Sequence, residues 1–501
     1  MSPTIVLVIL FLYIILLFSI ARLGDKQQFN VQSWTRHPLV YALALGVYCT
    51  SWTFYGLVGT AAEVGWFFLP ILLGPIVLFT LGYPVLERIY TICRQEHIHS
   101  IADFIASRYG KRQTVAAIVS IVVLVGTIPY IALQLKAVSD TLLLILGDDF
   151  FVHQDLTFML ALCMIAFTLL FGTNRLDMSG YHSGLMSAIA FESIVKLMAL
   201  LLVAGFAIYW VSDKVDSPAF FSANTVLSVT PSWPRFFIEL LISMCSFLCL
   251  PRMFHITFVE CLSVEHLRRS RWVISGYLLM VIVCVLAIAW SGNVLFSGQQ
   301  VAGDTYVIAV PLFNNSQWLV LVALLGGFSA ATAMIIVATI TLSQMLSNDV
   351  ILPLLRHRQK NKKILYDNSK SLILIRRIVI VVVVIAAYEY QLFLTKNTGL
   401  TSIGLISFAL IAQLAPSIIF GLYWRKANFR GVYAGLIAGL SIWFYTLMVP
   451  LLVKSGFLSA DILQQGLLGL SWLRPEHLFG FAFSDPITCL LYTSPSPRDR
   501  G

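Results

Sequence analysis

The stretch CLPRMFHITFVEC, residues 249–261, places a helix breaker, a permanent cation and a titratable ring inside an otherwise apolar run. Pro251 has no backbone N–H to donate and kinks or ends a helix. Carbonyls and amides freed in this way can face a cavity rather than lipid. Arg252 cannot deprotonate in a protein, so it needs an anion, a group of carbonyls or water. His255 can donate, accept or titrate near neutral pH. Two readings stand for Arg252: a long side chain snorkelling to the membrane edge, or part of an inner gate or the floor of a binding site. A second stretch, YALALGVYCTSWTFYGLVGT at 41–60, sets Thr50, Ser51 and Thr53 beside Gly46, Gly56 and Gly59.

Other polar residues interrupt apolar runs, and ionisable groups there are functional candidates by default. In AFESIVKLMAL, Glu192 and Lys196 lie one turn apart with the acid first, the favourable order. They form either a buried pair that neutralises itself, or a carboxylate that tunes a nearby cation site. In IPYIALQLKAVSD, Tyr130 and Gln134 share one helix face, suited to lining a cavity. Lys136 and Asp140 share another and read as an ion pair toward the outer surface. The run LLGGFSAATAM carries Ser329 and Thr332 among Gly and Ala. Small residues let membrane helices approach closely, while hydroxyls and loose carbonyls suit a hard cation. The sequence does not choose between these. Glu96-His97-Ile98-His99 could hold a metal, but reads better as a solvated loop. The eight cysteines form no C-x-x-C, hence no zinc pattern or disulfide framework. With no nucleophile elbow or phosphate loop either, these residues offer no catalytic motif.

The elements that must position these groups are membrane helices. The chain of 501 residues is 58% hydrophobic and 11% charged, against about 25% charged in a soluble domain. Apolar runs of roughly 20 residues, enough to cross a bilayer as helix, recur thirteen times. They include the second (39–59), fourth (114–146), sixth (184–210), seventh (235–254) and ninth (316–347), and a poor last one at 476–491. The odd-numbered connections hold 22 Lys and Arg and the even-numbered ones 4. Basic loops stay cytoplasmic, so the amino terminus is expected outside. The net charge of +9 is therefore a topology signal, and no nucleic-acid partner is expected.

Interrupted helices in corresponding positions of two halves point to the central site of a transporter. The interrupted spans are the second and the seventh, five apart. Since five is odd, spans 2–6 and 7–11 would be inverted repeats, a core over 39–423 with accessory spans at 431–488. The expected solute wall is Ser51, Trp52, Tyr130 and Gln134, with Arg252 and His255 beneath. The final residues, 489–501, shift abruptly to Ser, Pro and Arg. LYTSPSPRD resembles translated adaptor sequence, so a longer natural chain is expected.

HSIADFIASRYGKR (99–112) and GLYWRKANFRGVYAGLIAG (421–439) resemble signatures of sodium/solute symporters. Together with LPRMFHITFVE, IPYIALQLKAVS and FESIVKL, residues 3–488 look more narrowly like the symporter-like module that begins CbrA-type bacterial sensor histidine kinases. The resemblance implies a LeuT-type fold of about thirteen helices and an amino acid as solute, histidine among the candidates. It also implies a response-regulator partner reached through a kinase region not present in these residues. A sodium ion would sit between carbonyls of Gly46 and Cys49 and hydroxyls of Ser329 and Thr332. Glu192 stands where the family has a supporting aspartate. Tyr48 replaces a common acid or amide, and a one-turn shift in register would offer only Ala333 and Met334. No cofactor is implied beyond Na+ or H+ as coupling ion, and the departures leave that choice open.

Overall fold

A computed structural model describes residues 3–25, 35–147, 153–172, 182–214, 233–358, 369–394, 399–459, 461–466, 470 and 473–475. Among them there is no strand. Nine helices are long and apolar enough to cross a membrane, or ten if one sharply bent pair counts as a span. The span expected at 476–491 lies outside the described residues.

The helices that frame the site are α1 (Pro3–Gly24), α2 (Pro38–Ala44), α3 (Leu57–Val64), α4 (Leu69–Thr80), α5 (Gln113–Leu146), α6 (His153–Gly172) and α7 (Ser183–Lys214). They continue with α8 (Trp233–Cys249), α9 (Pro251–Phe254), α10 (Val264–Leu295), α11 (Tyr306–Phe313), α12 (Gln317–Met345), α13 (Ser369–Leu394) and α14 (Leu400–Ala412). The long helix α7 packs on α12, α10, α1 and α2, while α5 packs on α14, α13 and α12.

Both interrupted segments break, and they break alike. After α2 a 3-10 turn, Leu45–Tyr48, ends at Cys49 in extended conformation (φ −73°, ψ 105°). After α8 the chain bends by 59° at Leu250, also extended (φ −60°, ψ 124°). Leu250 precedes a proline, whose ring disfavours helical geometry in the residue before it. A five-residue π-helical turn follows each break, Trp52–Gly56 in the first and His255–Val259 in the second. Such turns concentrate at functional sites.

The small residues of α12 admit the first broken segment closely. A Cβ at Gly326 would collide with the Phe54 ring, and one at Gly327 with the Tyr55 ring. Close packing is thus one use of the run around Ser329 and Thr332, which are both fully buried.

Candidate functional site between the broken helices

The freed backbone at the first break is held by α5. Gln134 Oε1 accepts from the Ser51 backbone N–H (3.1 Å) and the Ser51 hydroxyl (2.7 Å), while its Nε2 donates to the Tyr130 carbonyl (3.1 Å). Both ends of this amide are therefore engaged within the protein. Trp52 is buried against Phe408 (centroids 4.9 Å apart) and Tyr130 (6.1 Å), and its indole N–H reaches the Thr401 hydroxyl (3.2 Å). Gly404 provides the space on α14, since a Cβ there would strike the indole.

Arg252, at the start of α9, lies 1% exposed in the same neighbourhood, so it does not snorkel to an open edge. Its guanidinium sits over the Tyr130 ring at 4.5 Å, and Nη2 donates to the Tyr130 hydroxyl at 3.2 Å. That hydroxyl is also within 3.2 Å of Thr50 Oγ1. Among the described residues, Nε and Nη1 of Arg252 have no hydrogen-bond partner. A buried guanidinium with spare donors is costly unless something anionic or polar meets it. The structure thus brings Ser51, Trp52, Tyr130, Gln134 and Arg252 into one buried cluster.

His255 turns the other way, toward the chain that enters α7. Glu260 Oε1 lies 3.1 Å from His255 Nε2 and 2.6 Å from His182 Nδ1, and Glu260 Oε2 accepts the His182 backbone N–H at 2.9 Å. Burial alone would raise the Glu260 carboxyl, but the two histidines outweigh it and hold it well below the usual carboxylate range. A depressed acid stabilises its site above its ordinary pKa and loses that contribution only as pH falls through the depressed value. This latch between the second break and the chain entering α7 therefore persists at ordinary pH. The three ligand atoms lie within 4.8 Å of one another, close enough for a metal ion.

The second set of candidates surrounds the first break from α7 and α12. Thr332 Oγ1 donates to Glu192 Oε1 (2.5 Å), and Ser329 Oγ donates to the Glu192 backbone carbonyl (3.0 Å). The Cys49 carbonyl accepts from Lys196 Nζ at 2.7 Å, and the Gly46 carbonyl accepts the Cys49 N–H at 3.1 Å. Glu192 and Lys196 thus engage different helices rather than closing on each other.

Above the site, Thr401 links α14 to the first broken segment by a hydrogen bond to the Gly56 carbonyl (3.1 Å) and a contact with the Thr60 hydroxyl (2.7 Å). Asp304, just before α11, lies against Gly59 and accepts the Leu400 N–H at 3.4 Å. Burial, with the Glu63 carboxylate second, pushes its carboxyl up to about 7. A Cβ on Gly59 would run into the Asp304 carboxyl and backbone nitrogen. Gly59→Ala is expected to push Asp304 away from the first broken segment and destabilise the protein by roughly 1–3 kcal/mol, the usual cost of overpacking. Faster labelling of Thr401→Cys in the Gly59→Ala background checks it, and unchanged labelling would count against this packing.

Sequence reasoning missed Thr401, Asp304, His182 and the direction of Lys196. Glu260 ends the quoted 249–261 stretch and could have been paired with His255. His182 and Thr401 carry no local signal. Lys136 and Asp140 do form the expected ion pair (3.1 Å), and Glu96 pairs with Arg108 and Lys111.

No family model matches the chain. A curated relative, an uncharacterized symporter named YodF from Bacillus subtilis (strain 168), is 30% identical over 107 residues, 21% of this chain and 21% of that protein. The chain therefore matches about a fifth of that relative's length. A solved structure of a Na+-coupled sialic acid symporter, in a substrate-bound outward-open state, superposes with a TM-score of 0.66 at 15% identity. The match covers 91% of this chain and 98% of that one. By these comparisons the chain has the multi-helix fold of a Na+-coupled symporter and resembles a second symporter over about a fifth of its length.

Proposed function

We propose that this chain binds a small organic solute bearing a carboxylate, held between the two broken helices, and couples that binding to a cation. The observation that carries the proposal is Arg252, buried at 1% exposure with two nitrogen positions unpartnered among the described residues and an aromatic face beneath it. Charge-assisted, often bidentate pairing with carboxylates is what a guanidinium does best. An amino acid fits this chemistry, and the fold neighbour's sialic acid is likewise an acid. In this reading Arg252 and the Trp52 and Tyr130 rings meet the solute. Gln134 and Ser51 hold the break open, and His255 with Glu260 closes the inner side. The matching breaks, each an extended residue followed by a π-helical turn, support a 5+5 inverted-repeat core of LeuT type among about thirteen helices.

The motif resemblance supports a finer reading, in which this core is the sensory module of a bacterial histidine kinase and signals to a response regulator. The alternative is a stand-alone solute symporter without kinase activity, and the 98% coverage of a symporter chain is compatible with both. Proteoliposomes carrying the purified chain, offered a radiolabelled amino-acid mixture that includes histidine, separate transport from sensing. Accumulation above protein-free vesicles is expected if transport is retained. Thermal stabilisation without accumulation indicates a receptor, and neither result would reject an amino acid as the solute.

Orientation follows from the basic loops, with the amino terminus periplasmic and the 348–370 connection cytoplasmic. A cysteine placed at Ser369 is expected to stay unreactive to an impermeant maleimide in intact cells and to react after lysis. Ready labelling from outside would invert the topology.

A further inference from the structure

We propose that Lys196 is the resident cation at the first broken helix, its tethered ammonium taking the place where a symporter of this fold would bind a sodium ion. The proposal rests on the transporter-like reading of the core and names the ion that occupies its first break.

The break at Cys49 releases a carbonyl from the helical ladder, and such a carbonyl is a natural oxygen ligand for a hard cation. Here it is already taken, by Lys196 Nζ at 2.7 Å from one turn beyond Glu192 on α7. The neighbouring Gly46 carbonyl is also engaged, accepting the Cys49 N–H within the 3-10 turn. Of the four oxygen positions expected to ligate sodium, both backbone ones are therefore in use. The other two, Ser329 and Thr332, donate their hydroxyl protons to Glu192. Lys196 is 1% exposed and Glu192 2%, so neither charge is relieved by solvent.

Two features indicate that the ammonium is a fitted part of the site. The donor set spans three helices: the carbonyl belongs to the broken segment, the ammonium and carboxylate to α7, and the hydroxyls to α12. A bound ion would bridge the same elements. Burying a lone ammonium is also costly, and here it is met by the oriented Cys49 carbonyl at 2.7 Å. A mobile sodium ion arriving at this break would have to displace the lysine from Cys49 and would meet like charge.

The test uses the purified full chain in detergent and radiolabelled sodium, with no organic solute present. Its outcome therefore stands apart from whether the carboxylate proposal is correct. The wild-type protein is expected to show no saturable sodium binding. Lys196→Ala should gain it, and adding Thr332→Ala to that variant should weaken the acquired binding by about tenfold or more, as expected for loss of one ligand to a charged group. Lys196→Met, which keeps an apolar stem, replaces Lys196→Ala if the smaller side chain does not fold. Saturable sodium binding to the wild-type protein that Thr332→Ala abolishes would overturn the proposal. So would folded Lys196 variants that bind no sodium.

Discussion

Replacing Arg252 with methionine is expected to raise the melting temperature of the solute-free protein while removing the proposed carboxylate binding. Arg252 is 1% exposed, and among the described residues only its Nη2 has a partner, the Tyr130 hydroxyl at 3.2 Å. Nε and Nη1 have none. The ring contact with Tyr130 offsets part of the desolvation cost, since a cation over an aromatic face contributes about 0.5–2 kcal/mol. It does not supply the directed acceptors that the remaining N–H groups lack. Methionine preserves much of the volume and is flexible enough to fill the gap. Exchanging buried charge for apolar side chains of similar size is often stabilising, by about 1–4 kcal/mol. Thermal unfolding of the two proteins in one detergent measures the difference. A clear fall in stability would mean that the guanidinium is satisfied in the empty protein, and the case for an anionic ligand would weaken with it.

Gln134→Ala is expected to act in the opposite direction, as a loss of fold stability rather than a selective loss of affinity. The amide holds both donors of Ser51 and anchors itself on the Tyr130 carbonyl. Truncation leaves the Ser51 backbone N–H without its acceptor inside a region that excludes water. A buried donor left unsatisfied costs about 1–3 kcal/mol, and the missing side-chain volume adds a cavity cost. A total of about 2–4 kcal/mol follows. Ser51→Ala removes only the hydroxyl and should cost about 1 kcal/mol. Melting curves for the two variants separate these roles. Equal, small losses would show that Gln134 is not what holds the break, and would return it to the list of residues free to meet solute.

Sequence patterning exposed what local chemistry dictates. Pro251 forces the extended Leu250, and a charge beside it had to be either at an edge or in a site, so the second break was readable from a few residues. The first break showed itself through glycines and hydroxyls, which lower the cost of leaving the helix. The shared face of Tyr130 and Gln134 follows from helical spacing, and both do reach the break. What that face contacts does not follow, and the amide serves the backbone of Ser51.

Lys196 shows the limit most clearly. The i, i+4 rule points the ammonium at Glu192, whereas its acceptor is a carbonyl on a distant segment that becomes available only because another helix breaks. The rule weighs surface pairs. In a buried site a freed carbonyl competes with a carboxylate that already has a threonine donor. His182 and Thr401 were hidden for a related reason, since each meets its partner through tertiary packing and leaves no periodic trace. Apolar run length alone gave thirteen spans, whereas the described residues hold nine qualifying helices or ten with the bent pair. Short and broken pieces, such as Pro38–Tyr48, fall below the length of a continuous span because the site interrupts them.

The most direct test of a carboxylate site at Arg252 is a thermal-shift panel on the purified full chain, pairing amino acids and other small organic acids with their neutral amides. At least one acid is expected to stabilise the wild-type protein while its amide does not, with the effect lost in Arg252→Met. Stabilisation by acid and amide alike, or stabilisation that survives the loss of Arg252, would contradict it.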